Sequence, residues 1–150
     1  MKLTHTIFSL FALLSLSACS SLTVNPPSNN ALLGELTKQN GRACVRSNDI
    51  NGFGVLDDDV ISIDGRRGKY YLVTTLFRCN SLSISPKIAF KGNFANFCGG
   101  GGDSIITGDE ACPVKAIYEF SSSKEAFDAF AEVTNKRAEL RQELNKDATE

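Results

Sequence analysis

Four cysteines spread through the middle of the chain, Cys44, Cys79, Cys98 and Cys112, set the tightest limit on what it can fold into. Their separations are 35, 19 and 14 positions. There is no C-x-x-C pair, so neither a zinc ribbon nor a thioredoxin-like redox centre is indicated. An even set of cysteines in a small domain with few large core residues reads as two structural disulfides. Spacing alone leaves three connectivities open. Our expectation is the nested one, Cys44–Cys112 with Cys79–Cys98, which ties the opening strand to the closing strand and staples an interior connection. Chain-entropy arithmetic gives roughly 4 kcal/mol for the long loop and roughly 3 for the short one, against a typical net stability of about 5–15 kcal/mol.

The fifth cysteine belongs to the N-terminus. Lys2 precedes the apolar run Ile7–Leu16 (IFSLFALLSL). Ten residues rise about 15 Å as a helix, half the ~30 Å a permanent membrane span must cross. A basic head, a short apolar centre and then small residues is the grammar of a secretory signal peptide. Leu16, Ser17, Ala18 and Cys19 resemble the lipobox of bacterial lipoproteins, in which cleavage falls just before the cysteine. The resemblance implies a diacylglyceryl group on the Cys19 thiol and an acylated N-terminal amine. Each buried methylene contributes ~0.8 kcal/mol, and two or three chains suffice for stable anchoring. Ser20, not Asp, follows Cys19, which in the enteric sorting pattern favours the outer membrane.

Cleavage there would leave 132 of the 150 residues and remove the only His (His5) and the only Met (Met1). Without His, a Ser-His-Asp triad, a Cys-His dyad and a His-ligated zinc or copper site are excluded. A formal net charge of −1 gives no excess positive field for nucleic acid. We expect no cofactor, no metal and no catalytic residue.

Residues 1–18 are therefore expected to be a signal peptide and residues 19–40 a lipidated flexible tether. That tether is rich in turn formers around Pro26, Pro27, Asn29 and Asn30, with at most a helical turn at Ala31–Leu36. Residues 41–120 read as a disulfide-stapled β domain. Short strands are indicated at Ala43–Arg46, Val60–Ile63, Tyr70–Phe77, Lys87–Gly92, Ser104–Thr107 and Cys112–Phe120. In the last of these Cys112, Val114, Ala116, Tyr118 and Phe120 alternate onto one face. Asp64-Gly-Arg-Arg-Gly68 is a hairpin signal. In residues 121–150, Ser122 with Glu125 forms a capping box that opens a helix over 124–145, whose charged end should fray. The fold class is mainly β (α+β): a small antiparallel sheet or partly closed barrel of five or six strands, one C-terminal helix and two disulfides.

Several motifs repeat the pattern of a family. They are R-x-C (Arg42, Cys44), D-x-x-x-I (Asp59, Ile63), C-x-x-L (Cys79, Leu82) and D-x-I…C-P-V-x-x-I (Asp103, Ile105, Cys112, Val114, Ile117). Together with the lipobox, they resemble an uncharacterised family of small gram-negative lipoproteins known only as a domain of unknown function. The resemblance covers residues 41–120 and implies secretion and a shared fold, but no catalytic residues.

Four groups are candidate sites. Asp57, Asp58 and Asp59 supply oxygens suited to Ca²⁺ but lack EF-hand spacing, so a solvated turn is the better reading. Gly99–Gly102 with Asp103 offers backbone N–H groups but lacks the G-K-[ST] ending of a phosphate loop; a flexible connection fits better. Arg66, Arg67 and Lys69 form a charged hairpin tip, suited to solubility or to anionic headgroups or glycans. Tyr70, Tyr71 and Phe77 read as core in preference to a ligand pocket. The expected function is a non-enzymatic binding or structural accessory of the gram-negative envelope. It would be anchored to the outer membrane by acylated Cys19, face the periplasm, and take an envelope protein or glycan as partner. The alternatives are an inhibitor of a lysozyme-like hydrolase, on architecture alone, and a carboxylate hydrolase using Asp103 with Asp109 or Glu110.

Overall fold

The computed structural model describes residues 25–108 and 110–147; the expected signal peptide, Cys19 and Asp109 lie outside them. In chain order the elements are α1 (Asn29–Thr37), β1 (Cys44–Arg46), β2 (Ile50–Asp57), β3 (Val60–Gly65), β4 (Tyr70–Thr75), α2 (Ser81–Ile84), β5 (Ala89–Lys91), β6 (Asn96–Cys98), β7 (Ser104–Ile106), β8 (Ala111–Phe120) and α3 (Ser123–Asp147). Six strands curl into an antiparallel half-barrel in the order β2-β3-β4-β8-β7-β5, and β1 with β6 forms a separate two-stranded sheet. The mainly β architecture is as the strand pattern indicated, with β2 and β6 added to the strands it contained.

Alternation along β3 and β4 divides the core into two. Ile61, Ile63, Tyr71 and Val73 face the concave side with Phe97, Ile105 and Ile117. Leu72 faces the other way and joins Leu32, Leu33, Tyr118, Phe120, Ala126 and Val133 under the two long helices. Strand β8 serves both cores because it carries a bulge: Thr74 opposes Ala116 while the adjacent Thr75 opposes Val114, leaving Lys115 as the extra residue. One inserted residue inverts the facing of everything beyond it. Cys112 and Val114 therefore point to the concave core, whereas Ala116, Tyr118 and Phe120 point to the helices. The single face expected for these five residues is corrected accordingly.

The expected tether is folded from Asn29 onward. Ser28 caps α1 by accepting from the Ala31 N–H at 3.2 Å, and Leu32 and Leu33 are buried against β8 and α3. Nine residues are too few to hold a helix alone, so tertiary pins must supply the stability. Asn29 Nδ2 donates to Asp57 Oδ2 at 3.0 Å and to Asp59 Oδ1 at 2.7 Å. Thr74 Oγ1 donates to Asn30 Oδ1 at 3.0 Å. Immediately after α1, the Gln39 side-chain amide imitates a strand: Nε2 donates to the Glu119 carbonyl at 2.8 Å and Oε1 accepts the Glu119 N–H at 2.9 Å.

The disulfides are Cys44–Cys98 and Cys79–Cys112, interleaved and not nested. Cys44 and Cys98 are directly opposed in the β1–β6 pair, with Cα atoms 4.1 Å apart. Cys79 lies just beyond β4, whose neighbour β8 carries Cys112, and its N–H donates to the Asp58 carbonyl at 2.8 Å. Strand adjacency set the pairing. Helix α3 begins at Ser123, with the Ser122 hydroxyl accepting the Glu125 N–H at 3.2 Å. The Glu125 carboxylate reaches the N–H of Ser121, not that of Ser122, at 3.0 Å. The capping box is thus displaced by one residue on its return arm.

Candidate functional site

The seam along the free side of β8 builds a cleft. Residues 41–43 run beside β8, with Ile117 N–H donating to the Gly41 carbonyl at 2.8 Å and Ala43 N–H to the Ile117 carbonyl at 3.2 Å. The loop after Cys98 closes on the same seam: Gly99 N–H donates to Ala43 at 3.0 Å and Gly100 N–H to the bulged Lys115 carbonyl at 3.1 Å. Two glycines are required here. At Gly41, where φ is +70°, a Cβ would stand 2.6 Å from the Ala116 Cβ, and one at Gly99 would stand 1.9 Å from the Gly41 carbonyl oxygen. The glycine run is a close-packing device at its first residue and an open rim at its last two, since Gly101 and Gly102 have no neighbour that a Cβ would meet.

The resulting cleft has a volume of about 370 Å³, within the range of small-ligand sites. Arg42 and Lys115 are its cations. The stem of Arg42 lies over Gly100, 3.4 Å from where a Cβ would be. Lys115 reaches the cleft because it is the bulge residue, a common way of re-aiming a side chain beside a site. Both are exposed, and among the described residues neither forms a salt bridge. The polar floor is Asn30 and Tyr118, whose hydroxyl lies 2.9 Å from the Asn30 carbonyl oxygen. Burial raises the Tyr118 pKa, so the phenol stays neutral and donates. Among the described residues no carboxylate lines the cleft. Two cations above a neutral polar floor are an arrangement suited to a negatively charged group.

The residues singled out from the sequence are dispersed. Asp57 and Asp59 hold Asn29, and Asp58 pairs with Arg78, so the acidic triplet locks α1 and the chain after β4 to one turn. Asp103 is buried and its Oδ2 accepts the Cys98 N–H at 2.6 Å. Glu110 accepts from Ser81 Oγ at 2.8 Å, in a cluster completed by Thr107. The two carboxylates are committed to separate structural tasks. Cys79, Cys112 and Glu110 come close enough to hold a metal, but the two sulfurs are bonded to each other and so offer no thiolate. In the charged hairpin tip, Lys69 pairs with Glu119 at 2.7 Å and Arg66 lies 3.9 Å from Asp49. Tyr71 is core, Tyr70 packs on Phe127 at 5.5 Å, and Phe77 lies outside β4 and is half exposed. Sequence reasoning passed over Lys115, which strict alternation places on a solvent face. Arg42 entered it only through the R-x-C motif. A glycine at 41 and the run from 99 were the available signals of close backbone approach.

Among curated proteins and among solved structures, no match to the chain is found. A family model described as a family of unknown function (DUF6491) matches residues 1–139, nearly the whole length, and the chain belongs to that family.

Proposed function

We propose that this protein is a lipid-anchored, non-enzymatic binding accessory of the gram-negative envelope. Acylated Cys19 holds it at the outer membrane facing the periplasm, and its β domain binds an anionic group of an envelope component between Arg42 and Lys115. The observation that carries the binding half is a pair of cations over a cleft, with neither an ion-pair partner for them nor a lining carboxylate among the described residues. The anchor rests on the lipobox residues Leu16–Cys19 and the short apolar run before them. The non-enzymatic reading is supported by the position of the only His before Cys19 and by the separate engagement of Asp103 and Glu110.

The test is calorimetric titration of the full chain with carboxylate-bearing glycan fragments and with glycerol phosphate. Binding that falls at least tenfold in Arg42→Ala and in Lys115→Ala supports the assignment. Affinity indifferent to both substitutions, or turnover of the glycan, overturns it. Mass spectrometry of the native N-terminus reads the anchor separately: a free Cys19 thiol would remove it.

A further inference from the structure

At the far end of the β5–β6 connection, Phe94 is 96% exposed. It occupies the first central position of a two-residue turn: Asn93 bridges Asn96, and the Asn96 N–H donates to the Asn93 carbonyl at 3.0 Å. Phe94 and Ala95 both have positive φ, 50° and 60°. Turns of this shape favour Asn and Gly, because a Cβ crowds the backbone in the left-handed region. The chain thus accepts two unfavourable residues at a surface position where the larger side chain is almost wholly exposed. Strain held at an exposed tip points to a role outside the fold.

The base of the turn is firm. Phe97 is fully buried, Phe90 packs against it at 4.9 Å, and the Ala95 carbonyl accepts the Ser47 N–H at 2.9 Å. Phe94 is therefore presented by a fixed stalk. Two exposed cations stand at its base, Lys91 at the end of β5, three residues before it, and Arg46 on β1, opposite Asn96; neither has an ion-pair partner among the described residues.

We infer that the Phe94 tip is a membrane contact, which inserts its ring among the headgroups of an anionic phospholipid surface while Arg46 and Lys91 meet the lipid phosphates. A single exposed apolar side chain with two exposed cations nearby in the chain suits a bilayer interface, where each ring or methylene and each charge contributes by itself. A stable protein interface would instead need a broad apolar centre around it. The inference rests on the envelope-lipoprotein reading for its setting, and gives the tethered domain a second point of contact that fixes its orientation.

The chain contains no Trp, so F94W makes a single fluorescent reporter at the tip. The full lipidated chain is reconstituted in vesicles of phosphatidylethanolamine and phosphatidylglycerol. The expected result is blue-shifted emission that loses at least half its intensity when brominated lipids are included, and R46E/K91E should abolish both. Co-flotation with the vesicles reads the anchor, and quenching reads the tip. Flotation without quenching overturns the tip contact. If the chain does not float, the anchor reading fails, and quenching by added anionic vesicles then decides the tip. Emission that shifts only in native membranes assigns the tip to a protein and also overturns the inference. Should F94W not fold, F94N/A95G carries the test: it should melt higher than the parent and lose protection from tryptic cleavage after Lys91 in the same vesicles. Unchanged protection refutes the contact.

Discussion

Replacing Gly99 by Ala should be far more damaging than replacing a neighbour two residues away, and the structure gives the size of the difference. The new Cβ would stand 1.9 Å from the Gly41 carbonyl oxygen, 2.5 Å from the Ile117 nitrogen and 3.1 Å from the Ala116 carbonyl carbon. All three are backbone atoms, which no rotamer change can move, so the seam between residues 41–43, the glycine loop and β8 must part. Four backbone hydrogen bonds cross it. At about 1 kcal/mol each, their loss costs about 4 kcal/mol, and more where a buried group is left unpaired. Gly101→Ala meets no neighbouring atom and suffers only the strain of its φ of +106°, roughly 1–3 kcal/mol. Gly52→Ala, on an open strand position at ordinary φ, should be neutral or slightly stabilising. Urea unfolding of the three oxidised variants, compared at equal slope, gives the order directly. Should Gly99→Ala prove as mild as Gly101→Ala, the seam is not the close-packed joint described, and the cleft it builds loses its rigid wall.

Removing the two disulfides one at a time should give unequal losses. The separations of 54 and 33 residues differ by only a few tenths of a kcal/mol in chain entropy. C79A/C112A, however, also opens a cavity in the core, whereas Cys44 is exposed, so it should melt lower than C44A/C98A. Leu33→Ala, at a fully buried helix position, should cost about 2–5 kcal/mol and strip α1 of its hydrogen-exchange protection; retained protection would return α1 to the status of a tether. The hydrogen bonds from Ser121 lower the Glu125 pKa below its ordinary 4.5. A depressed carboxylate stabilises the fold above the unfolded-state pKa, and that contribution is lost as pH falls through the folded-state value. The Glu125→Gln variant should therefore show a flatter acid limb than the parent in melts between neutral pH and the acid range.

What was legible in the sequence were the elements that carry local signals. The β3–β4 hairpin could be read from Asp64-Gly-Arg-Arg-Gly68, and α3 from Ser122 and Glu125. Strand β2 was not legible, because Gly52 and Gly54 interrupt its alternation and its residues draw their order from β3. Strand β6 is three residues long and lies between the turn formers Gly92–Asn93 and the glycine run from Gly99, which mask it as loop, although Phe97 is its fully buried centre. Helix α1 looked like linker because its stability comes from Asp57, Asp59, Thr74 and β8, all far along the chain. The bulge at Lys115 leaves no trace in composition, yet it sorts β8 between two cores and supplies one of the two cations of the cleft. Disulfide pairing followed from which strands became neighbours, and spacing does not encode that.

The Gln39 amide occupying the Glu119 backbone has a consequence for how such molecules coexist. Strand β8 pairs with β7 only over Ala111–Pro113, so the rest of that side would present unused donors and acceptors to any passing chain. Gly41–Ala43, Gly100 and a single glutamine close it instead, each with bonds the strand would otherwise offer to a stranger. The sheet's true ends are β2, kinked by two register shifts, and the three-residue β5. Copies at high concentration then collide repeatedly without seeding a fibril.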